Sequence, residues 1–68
     1  MESIYKVIEI IGTSPNSWEE AAKNAVETAG KSLKDLRVAE AVEFDLKLEN
    51  GRVSAYRTKM KVSFKYQD

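Results

Sequence analysis

The chain contains neither cysteine nor histidine. The first absence excludes disulfides, thiolate zinc sites and cysteine nucleophiles. The second removes the commonest metal ligand and the commonest general base near neutral pH. For metals, only oxygen-ligand sites for hard cations remain. An excess of charge of either sign is also missing, since 11 Lys and Arg balance 11 Asp and Glu. Nucleic-acid binders depend on basic excess, so phosphate-backbone binding is not expected. No apolar run approaches the roughly 20 residues needed to span a bilayer. The start, Met1-Glu2-Ser3-Ile4-Tyr5-Lys6, has neither the basic opening nor the apolar core of a signal peptide, so the cytoplasm is the expected location. No linker, repeat or low-complexity segment interrupts the 68 residues, which read as a single domain over 1–68.

What is present is most legible in the last third. From Val42 the even positions are apolar (Val42, Phe44, Leu46, Leu48) and the odd ones charged (Glu43, Asp45, Lys47, Glu49). After Glu49-Asn50-Gly51, Tyr56, Thr58, Met60, Val62, Phe64 and Tyr66 share one face, and Arg57, Lys59, Lys61, Ser63 and Lys65 the other. Period-two alternation of this length predicts two strands with one buried and one wet face. A two-residue Asn50-Gly51 loop would set even residues against odd ones and spoil both faces. A three-residue loop with Gly51 as a left-handed bulge closes Leu48 on Arg52, Phe44 on Tyr56 and Glu43 on Arg57, and is the expected register.

Upstream, Ser3 to Gly12 is rich in β-branched and aromatic residues on both faces and predicts a strand covered on both sides. Gly12-Thr13-Ser14-Pro15-Asn16 reads as a turn, and Ser17 with Glu20 as a capping box. A helix is expected from about Trp18 to Lys34, with a stripe of Trp18, Ala22, Ala25, Ala29, Leu33 and Leu36 and i,i+4 pairs Glu19–Lys23 and Glu27–Lys31. The order is β-α-β-β, an α+β unit. One thin, alanine-lined helix covers only one face of three strands. A domain this small buries only about 60% of its unfolded surface, and with disulfides excluded, oligomerisation is the expected remedy.

Candidate chemistry is sparse. Trp18 reads either as a stacking platform or, preferably, as an anchor for the helix start. The row Arg57, Lys59, Lys61, Lys65 reads as a cross-strand ion ladder with Glu40, Glu43, Asp45 and Glu49 rather than a phosphate stripe. Thr13, Ser14 and Asn16 read as capping groups rather than an anion site. Glu19 with Glu20, and Glu43 with Asp45, are adjacent carboxylates without an activated nucleophile or oxyanion site, so no enzyme activity is expected.

The run Tyr5 to Ser14, then Ser17-Trp18 and the alanine-rich helix, then Leu36-Arg37-Val38-Ala39-Glu40, Glu49-Asn50-Gly51, Tyr56-Arg57-Thr58 and Val62-Ser63-Phe64, resembles the dodecins. The resemblance implies a three-stranded antiparallel sheet partly wrapped around one helix. It also implies assembly into a hollow homododecameric shell that stores or sequesters flavin, FMN or riboflavin, without turnover. The family's stacking tryptophan falls at Val38 and its ring-binding glutamine at Arg57, so the cofactor positions Val38 and Arg57 both depart from the pattern. Arg57 is expected to pair with Glu43 or to hold an anionic phosphate. The alternative is a shell that binds divalent cations or anions through rings of charged side chains at symmetry axes, with no metal ligand assigned.

Overall fold

A computed structural model describes residues 4–66. The elements are β1 (Tyr5–Ser14), α1 (Trp18–Ala29), β2 (Leu36–Glu49) and β3 (Arg52–Lys65). The three strands form one antiparallel sheet in the order β1-β3-β2, so the last strand is central. The β-α-β-β order and the sheet partly wrapped around one helix follow the sequence reading.

α1 begins where Ser17, extended at φ −164°, accepts the Glu20 amide on its hydroxyl at 3.0 Å. The expected capping box is only half formed. The Glu20 carboxylate accepts from Ser14 Oγ and from Asn16 Nδ2 (2.8 Å), and the Ser17 amide goes to Ser14 Oγ (3.3 Å). The helix ends at Ala29 rather than Lys34, because Gly30 caps it and donates its amide to Val26 O at 2.9 Å. Lys31 and Ser32 then bond three residues back, to Thr28 O and Ala29 O. Lys31 and Leu33 therefore lie beyond the helix, and the Glu27–Lys31 pair has no helical geometry to support it. The stripe facing the sheet is centred on Ala21 and Ala25, flanked by Ala22 and Val26. Ala21 was not in the expected stripe; Leu36 reaches the core by opening β2 instead.

The core is small. Ala25, Met60 and Val62 are buried, with Ile8, Ile10, Ala22, Val26 and Leu36 packed against them. Burying Met60 and Val62 stabilises by roughly 1.5–3 kcal/mol each. Gly12 is buried within β1, which runs on to Ser14 rather than turning at Gly12. A Cβ there would lie 2.0 Å from Ala21 O. Glycine is what lets the helix approach the strand. β1 is covered on one face, not two: Ile8 and Ile10 point under the helix, while Tyr5, Val7 and Ile11 are exposed.

The hairpin register differs from the expected one. Glu49 pairs with Arg52 across a two-residue turn in which Asn50 (φ 53°) and Gly51 (φ 76°) are both left-handed, the geometry whose twist suits a hairpin. Its parity is repaired one step later. Leu48 faces Val53 but Lys47 faces Ala55, leaving Ser54 as an extra residue in β3, a bulge. Phe44 therefore faces Thr58 and Glu43 faces Lys59, not Tyr56 and Arg57. A second shift at Val42 reverses the faces of β2, so Ala41 and Ala39 join the helix side, opposite Met60 and Val62. Val38 and Glu40 move to the helix-free side, opposite Ser63 and Lys61.

β1 stops at Ser14, opposite Tyr56, so the hairpin beyond this point projects as a two-stranded arm. The chain measures 53 × 20 × 15 Å and exposes 5299 Å². A compact monomer of this mass would expose about 4,300 Å². The surplus is roughly 1,000 Å², and Val38, Phe44, Leu46, Leu48 and Val53 are among the exposed apolar side chains.

Candidate functional site

The helix-free face of the sheet is built from rungs of three residues, one from each strand. Val7, Ser63 and Val38 form one, and Glu9, Lys61 and Glu40 the next. Ile11, Lys59 and Glu43 follow, then Thr13, Arg57 and Asp45. Basic residues of the central strand thus run beside acidic residues of β2, and β1 adds the single acid Glu9 opposite Lys61. Lys59 Nζ lies 3.2 Å from Glu43 Oε1. Arg57 donates Nε to Asp45 Oδ1 at 2.7 Å and Nη2 to Asp45 Oδ2 at 2.9 Å, a bidentate pair. These hydrogen bonds hold the Asp45 carboxyl below its ordinary value and the Arg57 guanidinium above its own. The expected ladder is present in part: Lys59 pairs with Glu43 and Arg57 with Asp45 rather than Glu43, while Glu49 lies 3.7 Å from Lys47 of its own strand. The Ser54 bulge makes that difference, and its one trace in the sequence is Val53, an apolar residue out of phase with Tyr56 and Thr58.

Val38 is 63% exposed and, with Val7, Glu40, Lys61 and Ser63, lines a recess of about 390 Å³ on this face. Its apolar end offers no aromatic surface. Arg57 stands on the same face, six residues along β3 from Ser63, the partner of Val38. At about 3.3 Å per residue this is roughly 20 Å. One chain therefore does not bring Val38 and Arg57 together. Among the described residues no group of three or more acidic side chains is placed to hold a metal ion.

A second recess, about 490 Å³, lies on the helix side between Trp18, Glu19, Ala22, Ala41 and Phe44. Sequence reasoning missed it, because Ala41 reaches this side only through the bulge at Val42. Trp18 is the anchor of the helix start. Its Nε1 donates to Asp45 O at 3.0 Å, and its ring meets Phe44 and Tyr56 edge-on at 5.9 and 5.3 Å. Thr58, fully buried, donates Oγ1 to Trp18 O at 2.9 Å. Ser14 accepts the Asn16 amide at 2.9 Å, so Ser14 and Asn16 support the helix start as expected, while Thr13 offers its carbonyl to Asn24 Nδ2 at 3.3 Å instead. Hydrogen bonds from Ser14, then Asn16, lower the Glu20 pKa.

A three-stranded antiparallel sheet that carries one helix in β-α-β-β order, with its other face bare and a recess on each side, defines the class of fold. The chain belongs to the dodecin family, whose sequence profile matches residues 4–67. It is 52% identical over 63 residues to the calcium dodecin of Mycobacterium tuberculosis (strain ATCC 25618 / H37Rv), covering 93% of this chain and 89% of that protein. The dodecin from Streptomyces davaonensis superposes with a TM-score of 0.91 over 100% of both chains at 31% identity. The crystal structure of the M. tuberculosis calcium dodecin, a calcium-chelating immunodominant antigen with a novel calcium-binding site, superposes at 0.85. It covers 96% of this chain and 93% of that one at 52% identity. No helix among the described residues is long and apolar enough to cross a membrane.

Proposed function

We propose that the chain is a self-assembling binding and storage protein whose copies close into a homododecameric shell and sequester a small ligand without turnover. The observation that carries the reading is the uncovered surface: the protomer exposes 5299 Å² around a core of a few side chains, and further copies are the means of covering it.

The ligand supported first is a divalent cation. The 52% identical relative is a calcium dodecin, and the available donors are carboxylates, which suit hard cations. Since no acidic triad forms among the described residues of one protomer, the ligands would be brought together between copies, where symmetry multiplies one carboxylate into a ring. Flavin is the second reading, favoured by the recess beside Val38. Valine supplies no π face, and aromatic stacking contributes about 1–3 kcal/mol per contact. Its loss corresponds to roughly tenfold to hundredfold weaker binding. Arg57 accepts no hydrogen bond and is engaged by Asp45, so it does not replace a glutamine.

The test is a pair of titrations on metal-free protein: calcium by calorimetry, and riboflavin and FMN by flavin fluorescence. Saturable calcium binding without flavin quenching at micromolar protein is expected. Strong quenching near one flavin per chain would reverse the order of the two readings. Val38→Trp is expected to restore quenching; unchanged fluorescence in that variant would mean that the rest of the pocket no longer fits the ring.

A further inference from the structure

Arg57 brings a guanidinium to the helix-free face, and its fork is already filled. Nε and Nη2 meet the two oxygens of the Asp45 carboxylate at 2.7 and 2.9 Å. A phosphate docks on a guanidinium through the same two parallel hydrogen bonds. The carboxylate therefore stands where two phosphate oxygens would stand. From this geometry we propose that Asp45 is a specificity-determining residue. By occupying the Arg57 fork it bars phosphate-bearing ligands from the helix-free face and leaves that face to neutral or cationic ones.

The pair is held from several directions. Asp45 and Arg57 stand opposite one another on adjacent strands, and Trp18 Nε1 fixes the Asp45 carbonyl from the other side of the sheet at 3.0 Å. A tethered carboxylate also acts at a local concentration that a free anion has to exceed. Both side chains still reach solvent, Arg57 at 40% and Asp45 at 50% exposure, so the fork becomes accessible once the carboxylate is neutral. β1 adds no charge here, since Thr13 and Ile11 stand opposite Arg57 and Lys59. Asp45 and Glu43 answer these two bases from β2. The next rung leans further toward acid, with Lys61 between Glu9 and Glu40. From Arg57 to the recess beside Val38, no rung therefore carries more base than acid. The inference rests on the ligand reading above and names the class of ligand it takes: cations over anions, and riboflavin over FMN.

Inorganic pyrophosphate is a probe that does not depend on flavin binding. Titrated by calorimetry into metal-free protein, it should give no saturable heat with wild type. Asp45→Asn, of the same shape but uncharged, should bind it, and Asp45→Asn/Arg57→Gln should lose it again. The gain in Asp45→Asn should shrink as salt is added. Folding is read from the emission of Trp18, and Asp45→Ser takes the place of Asp45→Asn if the latter does not fold. With flavins, the ratio of FMN to riboflavin affinity should rise about tenfold in Asp45→Asn, the effect of roughly one charge-assisted hydrogen bond. Three results overturn the role of Asp45: pyrophosphate bound as tightly by wild type, not bound by the variant, or bound undiminished by the double variant. Flavin fluorescence unchanged by every protein, beside pyrophosphate bound by Asp45→Asn alone, overturns the flavin reading and leaves the selection against anions standing.

Discussion

Single residues set how closely the parts of this protein approach one another. Gly12 is occupied by the helix: the nearest atoms to an added Cβ are Ala21 O at 2.0 Å and Ala25 Cβ at 2.8 Å. Because the first is backbone, the whole helix would have to move. Gly12→Ala is therefore expected to destabilise by about 3 kcal/mol, the upper end of overpacking costs, as read by urea unfolding. The Asp45–Arg57 pair makes a prediction of a different kind. Arg57 holds the Asp45 pKa below its ordinary 3.8, so the pair adds stability above that value and loses it as pH falls through the lower folded value. Arg57, its own pKa raised, stays charged throughout this range. The stability difference between wild type and Asp45→Asn should be constant well above the ordinary value of 3.8 and shrink as pH falls below it through the lowered folded value. A difference that does not shrink on acidification below 3.8 would count against the pair. The partner of Arg57 was not legible in the sequence, since it depends on one extra residue, Ser54, in β3.

Whole elements follow from propensity where the signals are local, and depart from it where the sheet intervenes. The N-terminus of α1 was readable from Ser17 and Glu20, but its C-terminus was not. Leu33 and Leu36 keep helical spacing while belonging to a turn and a strand. Gly30 ends the helix with ordinary right-handed dihedrals (φ −64°), and an added Cβ would meet only van der Waals neighbours, the nearest at 3.5 Å. Gly30→Ala should therefore stabilise by about 0.4–1 kcal/mol, through the entropy of the unfolded chain, and raise the thermal midpoint. The hairpin shows the opposite case. Its alternation and Asn50-Gly51 turn were visible, but two solutions satisfy the same alternation: a three-residue loop, or a two-residue loop followed by a bulge. The twist of the left-handed pair at Asn50 and Gly51 selects the second. Deleting Ser54 should force the arm into the wrong parity, turning either Leu46 and Leu48 or Tyr56 and Thr58 to the other face. The helix–hairpin contact at Trp18 would be lost, with a fall in cooperativity of unfolding.

At the scale of the molecule, the protomer is an incomplete object. Its length of 53 Å, its small core and its bare strands leave much of its apolar surface uncovered by the chain itself. Binding that occurs in the folded, assembled state alone stabilises by mass action. The thermal midpoint should rise with protein concentration across the range in which light scattering shows assembly; a midpoint independent of concentration there would mean that the protomer is stable alone. What the sequence by itself determined is the order of elements and the expectation of partners, because these depend on composition, period-two alternation and local capping; the dodecin resemblance rests separately on particular runs such as Tyr5 to Ser14. What only the tertiary structure decided is which residues meet: Asp45 with Arg57, Ala41 with Trp18, Val38 on the bare face with Val7 and Ser63. Each depends on the one-residue bulges at Val42 and Ser54. A bulge shows in the sequence only as a one-residue shift in the phase of the alternation, at Ala41-Val42 and at Val53-Ser54, yet it exchanges the faces of everything beyond it.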